Sequence, residues 1–122
     1  MKITQICVAL FAASSLLAGI AYAQSLPKVA DGTLLSANGM TLYNFDKDEA
    51  GISNCNGACA TNWPPVVAPA TVPAGKYSVI TREDGSKQLA YNGKPLYLYA
   101  ADKKAGERNG DNFKNVWHIV KE

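Results

Sequence analysis

Two aspartates, two cysteines and one histidine are the side chains of this 122-residue sequence best placed to do chemistry. Asp48 and Asp102 each follow an aromatic residue by three positions, in matching surroundings. Brought together, the two carboxylates could form an acid–base pair or hold a hard cation. Held apart, each would accept backbone N–H groups and lock the exit of a turn, as Asp does in loops. The second role is the expected one. Cys55 and Cys59 flank Asn56-Gly57-Ala58, and Gly57 lets so short a segment bend back on itself. A redox pair of the thioredoxin type needs two intervening residues at the start of a helix, inside a βαβ pattern. Here three residues intervene and no such pattern surrounds them, so a structural disulfide is expected. Two thiolates cannot fill a closed zinc site, and His118, the only histidine, is remote in sequence.

His118 follows Trp117, so a tryptophan pointing inward turns the histidine outward. No serine or cysteine can be assigned to it as a nucleophile. Met40 is the one methionine beyond the first residue, leaving copper or haem few ligands. The segment from Asp102 to Asn112 is rich in oxygen ligands of the kind calcium prefers. It departs from EF-hand spacing, and Lys103, Lys104 and Arg108 oppose a divalent cation. No catalytic residue, metal or cofactor is assigned from these features.

The elements that must position these residues come in two copies. Asn38-Gly39-Met40-Thr41-Leu42-Tyr43-Asn44-Phe45 matches Asn92-Gly93-Lys94-Pro95-Leu96-Tyr97-Leu98-Tyr99, with every pair 54 positions apart. Asp48 and Asp102 keep that offset, as do Trp63 and Trp117, while Asp31-Gly32 and Asp84-Gly85 differ by 53. Such a register across Gly, Leu, Tyr, Asp and Trp marks an internal duplication. Asn-Gly between alternating apolar segments signals a hairpin with a two-residue turn, pairing 33–37 with 40–45 and 87–91 with 95–99. Residues 77–82 would add a third strand before Asp84-Gly85, and 116–120 the last one. A long polar loop separates hairpin from tryptophan in each copy, 46–62 in the first and 101–115 in the second. Loops of that length inside a compact domain tend to be functional or mobile. Trp63-Pro64-Pro65 ends any helix, and 68–75 reads as the connector. Repeat 1 covers about 29–68 and repeat 2 about 77–121. The predicted fold class is all-β with little helix: a small pseudo-two-fold sandwich or barrel of two hairpin-loop-strand units. Tyr43 with Phe45, and Tyr97 with Tyr99, share a strand face and are expected in the core, with Trp63 and Trp117 as matched anchors.

Tyr43-x-Phe45-x-x-Asp48 and Tyr97-x-Tyr99-x-x-Asp102 resemble the signature of the bacterial predicted lipoproteins with a Yx(F/W/Y)xxD motif, also described as a secreted repeat. The Cys-x-Gly-x-Cys segment before Trp63-Pro64-Pro65 is similar to that family too. The resemblance covers nearly all of the chain beyond its first residues. It implies an envelope or secreted location and brings no established activity.

The N-terminus agrees with that location. Lys2, the apolar run from Ile6 to Ile20 and Ala21-Tyr22-Ala23 form an export signal, with cleavage expected after Ala23. The run is shorter than the roughly 20 residues that span a bilayer. Leu17-Ala18-Gly19 precedes Ile20 where a lipoprotein would carry its modified cysteine, so no lipid anchor is expected. Residues 24–122 are then one domain in an oxidising compartment, with the even pair Cys55 and Cys59 left after Cys7 departs. The formal net charge is +2 with no basic cluster beyond Lys103-Lys104, which excludes a nucleic-acid footprint. The expected function is a non-catalytic binding or interaction module of the periplasm or medium. Its partner would be a small ligand or another envelope protein. The alternatives are a redox or electron-transfer accessory using Cys55 and Cys59, and, more weakly, an enzyme or cation site at Asp48 and Asp102.

Overall fold

The computed structural model describes residues 25–122, so the expected export signal lies outside the described residues. Its elements, in chain order, are β1 (Lys28–Ala30), β2 (Thr33–Leu35), β3 (Tyr43–Phe45), α1 (Ala58–Asn62), β4 (Tyr77–Thr81), β5 (Lys87–Tyr91), β6 (Lys94–Pro95), a 3-10 turn (Phe113–Asn115) and β7 (Trp117–Ile119). They form three small antiparallel sheets, β1-β2, β3-β7 and β4-β5-β6. The architecture is a duplicated all-β fold with one five-residue helix. Among the described residues no helix is long and apolar enough to cross a membrane.

The same dipeptides close different turns in the two copies. Asn92-Gly93 forms the expected two-residue turn between Tyr91 and Lys94, both residues at positive φ (51° and 81°). At Asn38-Gly39 only the glycine is left-handed, because Ser36 N–H reaches Met40 and Gly39 N–H reaches Ser36, which makes a three-residue loop. The outer turns reverse this. Asp31-Gly32 is a two-residue turn, whereas Arg82 N–H bonds Ser86 and only Gly85 is left-handed there. The Ser36 hydroxyl donates to Asn38 Oδ1 and accepts the Met40 N–H, which holds the longer first loop with Asn38 outside the left-handed region.

The ladders are shorter than the alternating patterns predict because the copies exchange their last strands. The two motif tyrosines form the centre: Tyr43 N–H donates to Tyr97 C=O at 2.8 Å and Tyr97 N–H to Tyr43 C=O at 3.0 Å. Residues related by the 54-residue offset are thus bonded to one another, and a pseudo-two-fold axis passes between them. Outward from this pair, Val66 N–H bonds Leu96 C=O while its counterpart Val120 N–H bonds Leu42 C=O. Likewise Leu89 N–H bonds Val66, and Leu34 N–H bonds Val120. The final segment of each copy therefore lies against the hairpin of the other.

Two apolar clusters result. One gathers Leu34 and Leu42 of the first hairpin, Leu89, Tyr91 and Leu96 of the second, and Val120 of the last segment. The other gathers Tyr43, Cys55, Trp63, Tyr97 and Trp117, with Phe45, Cys59, Tyr99 and Phe113 half-buried around it. The second contains every aromatic residue of the duplicated motif.

Candidate functional site

The motif residues of each copy are completed by the other. Tyr43 Oη donates to Asp102 Oδ2 at 2.6 Å, and Tyr97 Oη donates to Asp48 Oδ2 at 2.7 Å. The remaining oxygen of each carboxylate accepts a backbone amide of its own loop: Asn54 N–H to Asp48 Oδ1 at 2.6 Å, Asn109 N–H to Asp102 Oδ1 at 3.0 Å. Each aspartate thus ties the mouth of its loop to the far copy's tyrosine. Burial, and then the bond to Asp102, pushes the Tyr43 phenol far above its ordinary value. Tyr97 rises likewise, first through burial. Burial also raises Asp48, against the lowering influence of the Asn54 amide, the Tyr97 hydroxyl and the Arg82 charge.

The two hydroxyls differ in what stands behind them. Tyr43 Oη accepts the Gly110 N–H at 3.2 Å. Tyr97 Oη lies 2.6 Å from Ser53 Oγ, and Arg82 Nη1 donates to that same Ser53 Oγ at 2.9 Å. Because the Tyr97 hydroxyl donates to Asp48, Ser53 donates to Tyr97. A polarised chain then runs from guanidinium through two hydroxyls to carboxylate. Arg82 is 7% exposed, and its Nη1 and Nη2 also donate to neutral groups: Gln88 Oε1, Cys55 C=O and Asn56 Oδ1. It fastens the disulfide loop to β5. The Cys55–Cys59 disulfide is formed, with Cα atoms 5.2 Å apart, and Cys55 is fully buried.

At the pseudo-axis the aromatic rings form one column. Phe45 stacks on Trp117 (centroids 4.3 Å apart), Trp117 on Trp63 (3.8 Å, planes within 3°), and Trp63 on Tyr99 (4.0 Å). The two-fold relation exchanges Phe45 with Tyr99 and Trp117 with Trp63, so each ring of one copy lies on a ring of the other. Tyr43 meets Trp63 edge-on at 5.4 Å and Tyr97 meets Trp117 edge-on at 5.1 Å, the geometry favoured by the ring quadrupoles. Gly110 allows this column to close: a Cβ there would lie 2.5 Å from Trp63 Cη2.

A cleft of about 410 Å³ opens beside the column, on the pseudo-axis. Cys59, Asn62 and Trp63 line one side, and Phe113, Lys114 and Trp117 the other. The second side is held by a contorted turn in which Asn112, Lys114 and Asn115 all have positive φ. His118 lies elsewhere, 2.8 Å from Asp46 Oδ2 and 3.0 Å from Asn112 Oδ1, with no serine or cysteine against it. Among the described residues no three His, Cys, Asp or Glu side chains gather in a metal-binding cluster.

The structure therefore brings Tyr43, Phe45, Asp48, Cys55, Cys59, Trp63, Tyr97, Tyr99, Asp102 and Trp117 around one axis. It does not bring the two aspartates onto a shared proton or ion; each has its own tyrosine. Ser53, Arg82, Gly110, Phe113 and Lys114 belong to the same assembly and were not singled out from sequence. Phe113 was accessible there, since it lies 54 residues after Cys59. Arg82 carried no signal, because nothing in its neighbourhood distinguishes a buried cation from a solvated one.

A family model described as a secreted repeat of unknown function matches the chain twice, over residues 26–67 and 78–121. No curated protein and no solved structure matches it.

Proposed function

The chain belongs to this family of secreted repeats, and from that premise we propose that it is a non-catalytic binding module of the cell envelope, exported by a signal cleaved after Ala23 and carrying no lipid. One observation supports this reading above the others: both motif carboxylates and both motif hydroxyls are engaged with one another across the copies. The polar groups of the signature serve to hold the scaffold closed, and the surface left open next to them is the cleft beside the ring column. The supporting chemistry is that of recognition, a concave half-apolar surface with a few convergent polar groups.

Native mass spectrometry of the protein from its own exported fraction tests the proposal. The expected species is Gln24–Glu122 with the disulfide closed and a small non-covalent companion that dissociates on denaturation. Conversion of a co-purifying compound into a new product by the pure protein would refute the non-catalytic reading. The redox alternative rests on Cys59 lining the cleft. A Cys55–Cys59 reduction potential below about −300 mV would mark the bond as structural and remove that alternative.

A further inference from the structure

We propose that the cleft on the pseudo-axis is a site for a small organic anion, a carboxylate with an apolar body, held by Lys114 and the rims of Trp63 and Trp117. The inference rests on the binding-module reading and names its ligand class. The stacking geometry decides between the usual aromatic recognition modes. Stacking of a sugar or of a flat ring needs a free indole face, but both faces of Trp63 and both faces of Trp117 are covered by neighbours in the column, so a ligand can meet these indoles only at their edges. An aromatic edge carries the positive part of the ring quadrupole, so a row of edges attracts negative charge and repels cations.

Three further observations agree. Lys114 is the one charged residue lining the cleft, and no carboxylate lines it. Its ammonium is 5.6 Å from the Phe113 ring centroid, and the residue is exposed. Lys114 occupies a left-handed backbone conformation (φ 51°), unfavourable for a lysine and commonest where a side chain must be aimed. Finally, Trp63 and Trp117 are only 4% and 3% exposed, and each indole carries one N–H donor and no acceptor. A buried donor is ordinarily hydrogen-bonded. Two such donors on residues bordering a cleft favour an oxygen-rich anion over a purely apolar guest. The apolar body is required by Phe113 and by Cys59 of the disulfide, which leave the anion only part of the lining.

The test uses the full exported protein with its disulfide closed, titrated separately with benzoate, benzamide and benzylamine at constant ionic strength. The readouts are the fluorescence and the indole N–H resonances of Trp63 and Trp117, the only tryptophans in the chain. Benzoate is expected to move both resonances saturably, with benzamide at least about tenfold weaker. Lys114→Gln should weaken benzoate by about three- to fivefold, whereas Lys103→Gln, outside the cleft, should leave it unchanged. Benzoate that leaves both indoles unmoved, or binds Lys114→Gln as tightly as the parent, overturns the assignment. Benzamide or benzylamine binding equally well on the same resonances also overturns the anion class. That last result leaves the binding-module reading standing, which fails only through the mass-spectrometric and turnover experiment above.

Discussion

Replacing each motif tyrosine by phenylalanine separates the two halves of the reciprocal Tyr–Asp arrangement. In Tyr43→Phe the ring still fills its place against Trp63 and Tyr99, so the loss is confined to the hydroxyl. That hydroxyl donates to a carboxylate that is 6% exposed and accepts the Gly110 N–H. A bond to a charged group contributes about 1.5–3 kcal/mol and an orphaned buried amide costs about 1 kcal/mol more. Relief from burying a hydroxyl offsets part of this, leaving a net loss of about 2–3 kcal/mol. Tyr97→Phe should cost less, about 1 kcal/mol, because Asp48 is only half-buried and water can replace the phenol. Ser53 also keeps its bond from Arg82. Urea unfolding followed by tryptophan fluorescence measures both, with the slope on denaturant unchanged if only the folded state has been altered. For a domain holding about 5–10 kcal/mol in total, Tyr43→Phe should lower Tm by roughly 10–20 °C. A Tyr43→Phe protein within about 0.5 kcal/mol of the parent, or one more stable than Tyr97→Phe, would show that these bonds do not hold the copies together.

Other outcomes follow from the same geometry. Both motif phenols are held neutral in the folded state above their unfolded value of about 10, so the stability they confer is complete below that pH. It is lost as pH rises beyond it, when the unfolded chain ionises first. Absorbance at 295 nm should show two tyrosines ionising only as the near-UV circular dichroism collapses; their titration in the intact fold would contradict the burial. Gly110→Ala drives a methyl into Trp63 and Tyr99 and should cost more than about 2 kcal/mol, with loss of the near-UV signal of the stacked indoles. An unchanged melting curve would mean that the column has room to shift. Arg82→Met leaves Gln88, Ser53 and the Cys55 carbonyl without their donor and should cost about 2–4 kcal/mol by thermal unfolding, with faster proteolysis between residues 46 and 62. Resistance of that loop equal to the parent's would remove Arg82 as its fastening.

The duplication, the β character and the short cysteine loop were legible because each depends on residues close in sequence or at a fixed repeat distance. Asn92-Gly93 gave its turn for that reason. Asn38-Gly39 did not, since the same dipeptide fits both two- and three-residue loops and Ser36 decides between them. The partnership at the site was illegible for a different reason. Tyr43 and Asp48 are five residues apart within one motif, yet each bonds the other copy's member, 59 and 49 positions away. A repeat distance equates residues; it does not say whether equivalents pair within a copy or across. The ring column had the same ambiguity, and Phe45 on Trp117 resolves it only in three dimensions.

The exchange of last strands gives the repeat an ancestry in its architecture. A single copy carries a hairpin whose neighbouring strand comes from elsewhere, one half of an aromatic column and an aspartate with no tyrosine to receive. Such a half is complete only as a symmetric pair, in which Tyr43 and Tyr97 would be the same residue facing itself across a true two-fold axis. Joining two of them through residues 68–75 turns a concentration-dependent association into an intramolecular one. It also frees the halves to diverge: one loop took a disulfide and is fastened by Arg82 of the other copy, while the other took Gly110 and Lys114. Asymmetry of this kind is unavailable to a homodimer, and it is what lets a cleft on a symmetry axis present two different sides to one ligand.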